Sequence, residues 1–170
     1  YDAAIEIFEK CLQEDSSFHR AHVYLSLCHM RKNNIEKAIM HSQSAIELAP
    51  AYHKAYNNLG ELYRRAGRYD EAIEAFKKAL DFEENAMYYY NLGLTYKEML
   101  DMERAKSTLQ KAYELDPDDA DIVKTYANVL YDLNEWQRLV LVLSEFLANH
   151  PQHERKHEFQ AMLNTARKKT

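Results

Sequence analysis

The sequence predicts an all-α chain in which antiparallel helix pairs stack into an α-solenoid. Three observations carry that prediction. Gly and Pro number three each in 170 residues, which disfavours a turn-rich β-fold and leaves room for long helices. Apolar side chains recur at i, i+3, i+4 and i+7, as at Tyr56, Leu59, Gly60 and Tyr63, the spacing of one helical face. Whole segments also return at a fixed interval. Pro50, Pro117 and Pro151 are separated by 67 and 34 residues. Leu59-Gly60-x-x-Tyr63 returns as Leu92-Gly93-x-x-Tyr96 at an offset of 33, and Ala72, Phe76 and Ala79 fall on Ala105, Leu109 and Ala112 at the same offset.

In chain order, residues 1–18 read as the second helix of a preceding, truncated repeat, through Tyr1, Ala4, Phe8 and Cys11. Four repeats follow, 19–52, 53–85, 86–119 and 120–153, beginning at His19, His53, Ala86 and Ala120. Positions are numbered from one within each repeat. In the second repeat, Ile73, Phe76 and Leu80 give the partner helix its apolar face. Gly67 sits between the two helices, where a left-handed residue ends a helix, and so short a turn makes the pair antiparallel. Gly60 and Gly93, at position eight, lie inside helices, where Gly costs about 1 kcal/mol against Ala. The expected gain is close helix approach against the alanines at positions twenty and twenty-seven. Pro at position thirty-two ends the second helix. Residues 154–170 read as a capping helix with Phe159, Met162, Leu163 and Ala166 on one stripe, a pattern that equally fits the first helix of a fifth repeat. The chain opens at Tyr1 in mid-repeat, so a fragment is expected, organised as a single domain.

The pattern aromatic-x-x-Leu-Gly-x-x-Tyr, then Ala-x-x-x-Phe-x-x-Ala, then Pro resembles the tetratricopeptide repeat, whose period is about 34 residues. The third repeat carries it through Tyr89, Leu92, Gly93, Tyr96, Ala105, Leu109, Ala112 and Pro117. The second has Glu84 at the proline position and is one residue short; the first has His22, His29 and Ser42 at aromatic positions; the fourth keeps mainly Ala127, Leu130, Leu143 and Pro151. The resemblance implies a right-handed superhelix and a concave groove, lined by first helices, that takes an extended peptide or a helix of a partner. Carried over residue by residue, the peptide-binding positions are Val23, Leu27, Met30, Lys54, Asn57, Asn58, Glu61, Arg64, Arg65, Tyr90, Asn91, Leu94, Lys97, Lys124 and Asn128. With Arg20, Arg31, Met87, Glu98, Asp121, Tyr131 and Asp132 on the same faces, the lining holds seven basic and four acidic residues. The expected partner is a protein or peptide with acidic and apolar residues, met by Arg64 and Arg65 and by Leu27, Met30, Tyr90 and Leu94. Asn58 and Asn91 recur at position six, similar to the asparagine ladder of the O-linked N-acetylglucosamine transferases, but Tyr24 and Thr125 interrupt it. Lys124 and Asn128 have the first spacing of a chaperone-tail clamp, with no complete repeat after them.

Composition narrows the remaining classes. The net charge of −5 and pI near 5.9 argue against nucleic acid as a partner. No apolar run approaches the roughly 20 residues that cross a bilayer, so no direct membrane insertion is expected. Cys11 and Cys28 form no CxxC or zinc pattern. His22 and His29 share a helix face, but both fall on packing positions, so packing and no metal is the reading. There is no phosphate loop, nucleophile elbow or HExxH. Neither a cofactor nor catalysis is expected. The competing readings are a substrate-recruiting arm of a larger enzyme, and self-association through the truncated N-terminal edge.

Overall fold

The computed structural model describes all 170 residues as ten α-helices with no strand. By its contacts the chain divides into two compact units, Tyr1–Glu84 and Asn85–Thr170.

Unit 1 holds α1 (Asp2–Glu14), α2 (His19–Arg31), α3 (Ile35–Leu48), α4 (His53–Arg65) and α5 (Tyr69–Phe82). The pairs α2/α3 and α4/α5 are hairpins; α1 packs on α2, and α4 packs on both α2 and α3. The apolar stripes of α2 to α5 are spent inside, with Leu25, Ala38, Leu62, Ala72, Phe76 and Ala79 fully buried, whereas α1 buries no residue fully. Unit 2 holds α6 (Ala86–Glu98), α7 (Met102–Leu115), α8 (Ala120–Asp132), α9 (Trp136–Asn149) and α10 (Lys156–Arg167). Here α6/α7 and α8/α9 are hairpins and α10 packs on α9. Phe159, Leu163 and Ala166 bury the α10 stripe. Phe146 meets Phe159 edge-to-face at 4.9 Å, a favoured aromatic geometry.

The hairpin turns share one backbone solution. Position fifteen of each repeat has positive φ: Asn33 at 59°, Gly67 at 73°, Leu100 at 62° and Asn134 at 59°. The next residue donates its N–H to the carbonyl of position eleven: Asn34 to His29, Arg68 to Tyr63, Asp101 to Tyr96 and Glu135 to Leu130, all at 2.8–2.9 Å. This is the longer bond of the motif that closes a helix with a left-handed residue. The expectation at Gly67 holds, and the device extends to three turns without glycine.

The close approach at position eight also holds. A Cβ on Gly60 would lie 2.7 Å from the Phe76 ring, and one on Gly93 would lie 2.6 Å from Leu109 Cγ. The atoms nearest such a Cβ belong to the residue at position twenty-four. The alanines at positions twenty and twenty-seven of the first three repeats are buried as well. In the first hairpin both partners are serines. The hydroxyls of Ser26 and Ser42 share a buried hydrogen bond of 2.7 Å, which satisfies two polar groups that burial would otherwise penalise.

Candidate functional site

On unit 1 the first-helix positions sort into three environments. Val23 is buried against Ala45 and Ala55, and Leu27, Ile46 and Tyr52 pack on that cluster. Val23 is therefore a core residue: a β-branched side chain facing two alanines fills the junction of α2, α3 and α4 and has no surface left for a ligand. Leu27 spends part of its surface on the same junction. Met30, Asn57 and Asn58 are half-buried, while Lys54 and Arg65 are exposed. The two arginines expected to take acidic groups are held by their own helix. The Glu61 carboxylate accepts from Arg64 at 2.8 and 2.9 Å and from Arg65 Nε at 2.7 Å. Spacings of i+3 and i+4 put all three on one face. An incoming carboxylate meets a preassembled cation pair already carrying one acid.

Unit 2 presents Tyr90, Asn91, Leu94 and Lys97 on α6 and Lys124 and Asn128 on α8, all half-buried. The Thr125 hydroxyl donates to the Tyr90 hydroxyl at 3.5 Å, which ties the two helices at the contact candidate. Met87 and Tyr131 are among the exposed large apolar side chains. Tyr89, at a repeat packing position, is half-buried, whereas Tyr88 beside it is buried. Two charges of α8 are met from the segment that starts α10: Glu158 accepts from Lys124 at 2.6 Å, and Arg155 donates to Asp121 at 2.6 Å. The hydrogen bond from Lys124 draws the Glu158 carboxyl below its usual range, and the bond to Asp121 raises Arg155. Lys124 therefore already holds a carboxylate of its own chain. The four residues lie about one repeat apart in sequence, and the charge pattern alone did not pair them.

Two features went unnoticed in the sequence. Tyr24, placed as an interruption of the asparagine ladder, is exposed and stacks on Phe8 of α1 at 4.9 Å. His41 of α3 joins His22 and His29; a search along one helix does not find a partner contributed by the next. No group of three or more His, Cys, Asp or Glu side chains is placed to hold a metal ion, and no helix is long and apolar enough to cross a membrane.

Comparison with known proteins fixes the class. The family model of the tetratricopeptide repeat matches residues 17–85 and 52–118, and the chain belongs to that family. Superkiller protein 3 of Schizosaccharomyces pombe is 35% identical over 104 residues, 61% of this chain and 8% of that protein. The Hsp70-Hsp90 organising protein of Plasmodium falciparum is 27% identical over 143 residues, 80% of this chain and 24% of that protein. The chain thus spans less than two thirds of the length of these relatives. Among solved structures, YrrB, described as a TPR protein with an unusual peptide-binding site, matches with a TM-score of 0.75 over 98% of this chain and 93% of that one. Its identity of 22% makes this a likeness of fold.

Proposed function

We propose that this chain is a non-enzymatic protein-interaction scaffold that holds an extended peptide or a helix of a partner on the faces of its first helices. The observation that carries the reading is the chemistry of those faces. Unit 1 presents half-buried amides at Asn57 and Asn58 and an apolar Met30, and unit 2 presents a half-buried Asn91 with Tyr90 and Leu94. An amide both donates and accepts, which suits a peptide backbone, and a half-buried tyrosine or leucine gains by covering an apolar side chain. The Glu61–Arg64–Arg65 group adds a place for an acidic residue, which binds by displacing Glu61 from one arginine. The face favours partners with a carboxylate spaced from an apolar anchor.

The test is affinity capture with mass spectrometry, wild type beside Arg64→Glu/Arg65→Glu/Tyr90→Ala. Proteins lost from the variant while its circular dichroism stays helical support the reading. An unchanged set of captured proteins removes these residues from recognition.

A further inference from the structure

The first hairpin of unit 1 has a core unlike those of its neighbours. Positions four, eleven and twenty-three carry Tyr56, Tyr63 and Ala75 in the second repeat, but His22, His29 and His41 in the first. The three imidazoles touch. His22 Nδ1 and His41 Nδ1 are 3.0 Å apart. The His29 and His41 rings stack at 5.5 Å with 4° between their planes. His29 is buried, and its Nδ1 has no hydrogen-bond partner.

A contact between two ring nitrogens at that distance fixes the protonation of the pair. One Nδ1 must carry hydrogen and donate; the other must offer its lone pair. The donor ring can take one further proton at its Nε2 and keep the bond. A second proton has to enter on the acceptor lone pair, and two N–H groups then face each other. His29, stacked on the pair, adds like charge if it is protonated.

We propose that His22, His29 and His41 form an acid-sensing latch: neutral, they hold α2 against α3, and proton uptake opens this hairpin.

The surroundings favour the neutral state. Burial lowers all three histidines from their usual range, His41 to about 4. Lys37 of α3 acts on His41 and His29, and Lys32 of the α2–α3 turn acts on His29. Glu9 of α1 is the one carboxylate among the groups acting on them. Lys32 is itself paired with Asp2 of α1. From α4 the Tyr63 hydroxyl accepts from Gln43 at 3.3 Å, and no charge on α4 acts on the rings. The thiols of Cys11 on α1 and Cys28 on α2 are half-buried and buried. Because the folded values are depressed, the unfolded hairpin binds more protons. Stability is complete above about pH 6.5 and is lost as the pH falls through 6.5 toward the folded values. With about two protons taken up on opening, the opening equilibrium moves about a hundredfold per pH unit at its steepest.

Hydrogen exchange of the whole chain, read peptide by peptide between pH 7 and 5 and corrected for intrinsic rates, tests the latch. The α6/α7 hairpin, which contains no histidine, is the internal control. The expected result is a loss of protection across α2 and α3 that α6 and α7 do not share. His22→Tyr/His29→Tyr/His41→Ala, which installs the residues of the second repeat, is expected to abolish the loss, and His41→Gln to reduce it. Protection of α2 and α3 that tracks α6 and α7, or an acid response that survives in the triple variant, overturns the proposal. If the variants do not fold, imidazole proton titration of the wild type decides: midpoints below the ordinary value sustain the latch, and midpoints at about 6.5 overturn it.

Discussion

Leu100 is the residue with the most strained backbone duty. It holds a φ of 62° and is 78% exposed, so the side chain gains little to offset a left-handed conformation that costs an L-residue about 1–2 kcal/mol. Leu100→Gly is expected to raise stability by about 1 kcal/mol, read as a higher urea midpoint with an unchanged slope. A lower midpoint would mean that this side chain packs in a way its exposure conceals. The reverse holds at Gly93. There Ala gains about 1 kcal/mol of helix propensity but puts its Cβ 2.6 Å from Leu109 Cγ and 3.4 Å from the Leu109 backbone nitrogen. Overpacking costs about 1–3 kcal/mol, so Gly93→Ala is expected to destabilise by about 1 kcal/mol. In Gly93→Ala/Leu109→Val the smaller neighbour gives way, and the two effects should not add; strict additivity in chemical denaturation would show that the two residues do not share the contact.

At the scale of the element, helix starts differ in how they are secured. Asp119 caps α8, accepting from the N–H groups of Asp121 and Ile122 at 2.8 and 3.0 Å. Asp101 caps α7 through the N–H of Arg104, whereas α2 and α4 begin without a side-chain cap. Asp119→Ala is expected to cost about 1 kcal/mol, and hydrogen exchange should place the loss in the first turn of α8. The Asp101 carboxyl is held below its usual range by its backbone bond from Arg104 and then by the Arg104 side chain. A depressed carboxyl contributes stability above its unfolded value and loses it as the pH falls lower. The α7 cap should therefore hold at pH 6 and weaken below pH 4, in a lower window than the histidine latch, and an amide-exchange series across both windows separates them.

At the scale of the molecule, recognition is the property to test. The lining counted seven bases against four acids, a surplus that pointed to acidic partners. The structure assigns several of those charges to partners of their own: Arg64 and Arg65 to Glu61, Lys124 to Glu158, Asp121 to Arg155. Such pairs, partly exposed, are worth about 0–1 kcal/mol each, so a ligand carboxylate can replace them at small cost. Binding through Arg64 and Arg65 is expected to weaken as salt rises, and Glu61→Gln should strengthen capture of acidic partners by removing the carboxylate charge that both arginines contact. Affinity for a captured partner, measured in a salt series for wild type and Glu61→Gln, checks both; a salt-independent affinity would place the contact on apolar side chains alone.

The helices and the family were legible in the sequence because both rest on short-range regularities. Period, helix face and turn glycine are local, and the first helices begin at His19, His53, Ala86 and Ala120, where the repeat pattern placed them. Position fifteen shows the limit. Gly67 announced its turn, but Asn33, Leu100 and Asn134 adopt the same conformation because the hairpin contacts around them require it. The candidate surface was legible as a set of positions and not as a set of free groups. Val23 went to the core, Lys124 went to Glu158, and His41 reached His22 from the next helix, since a side chain's partner is settled by which elements pack together. By itself the sequence determined what repeats, because a helical period and a helix stop are encoded within a few residues. Only the tertiary structure decided which charges, imidazoles and apolar faces meet, because those energies exist only once distant residues share a few ångströms of space.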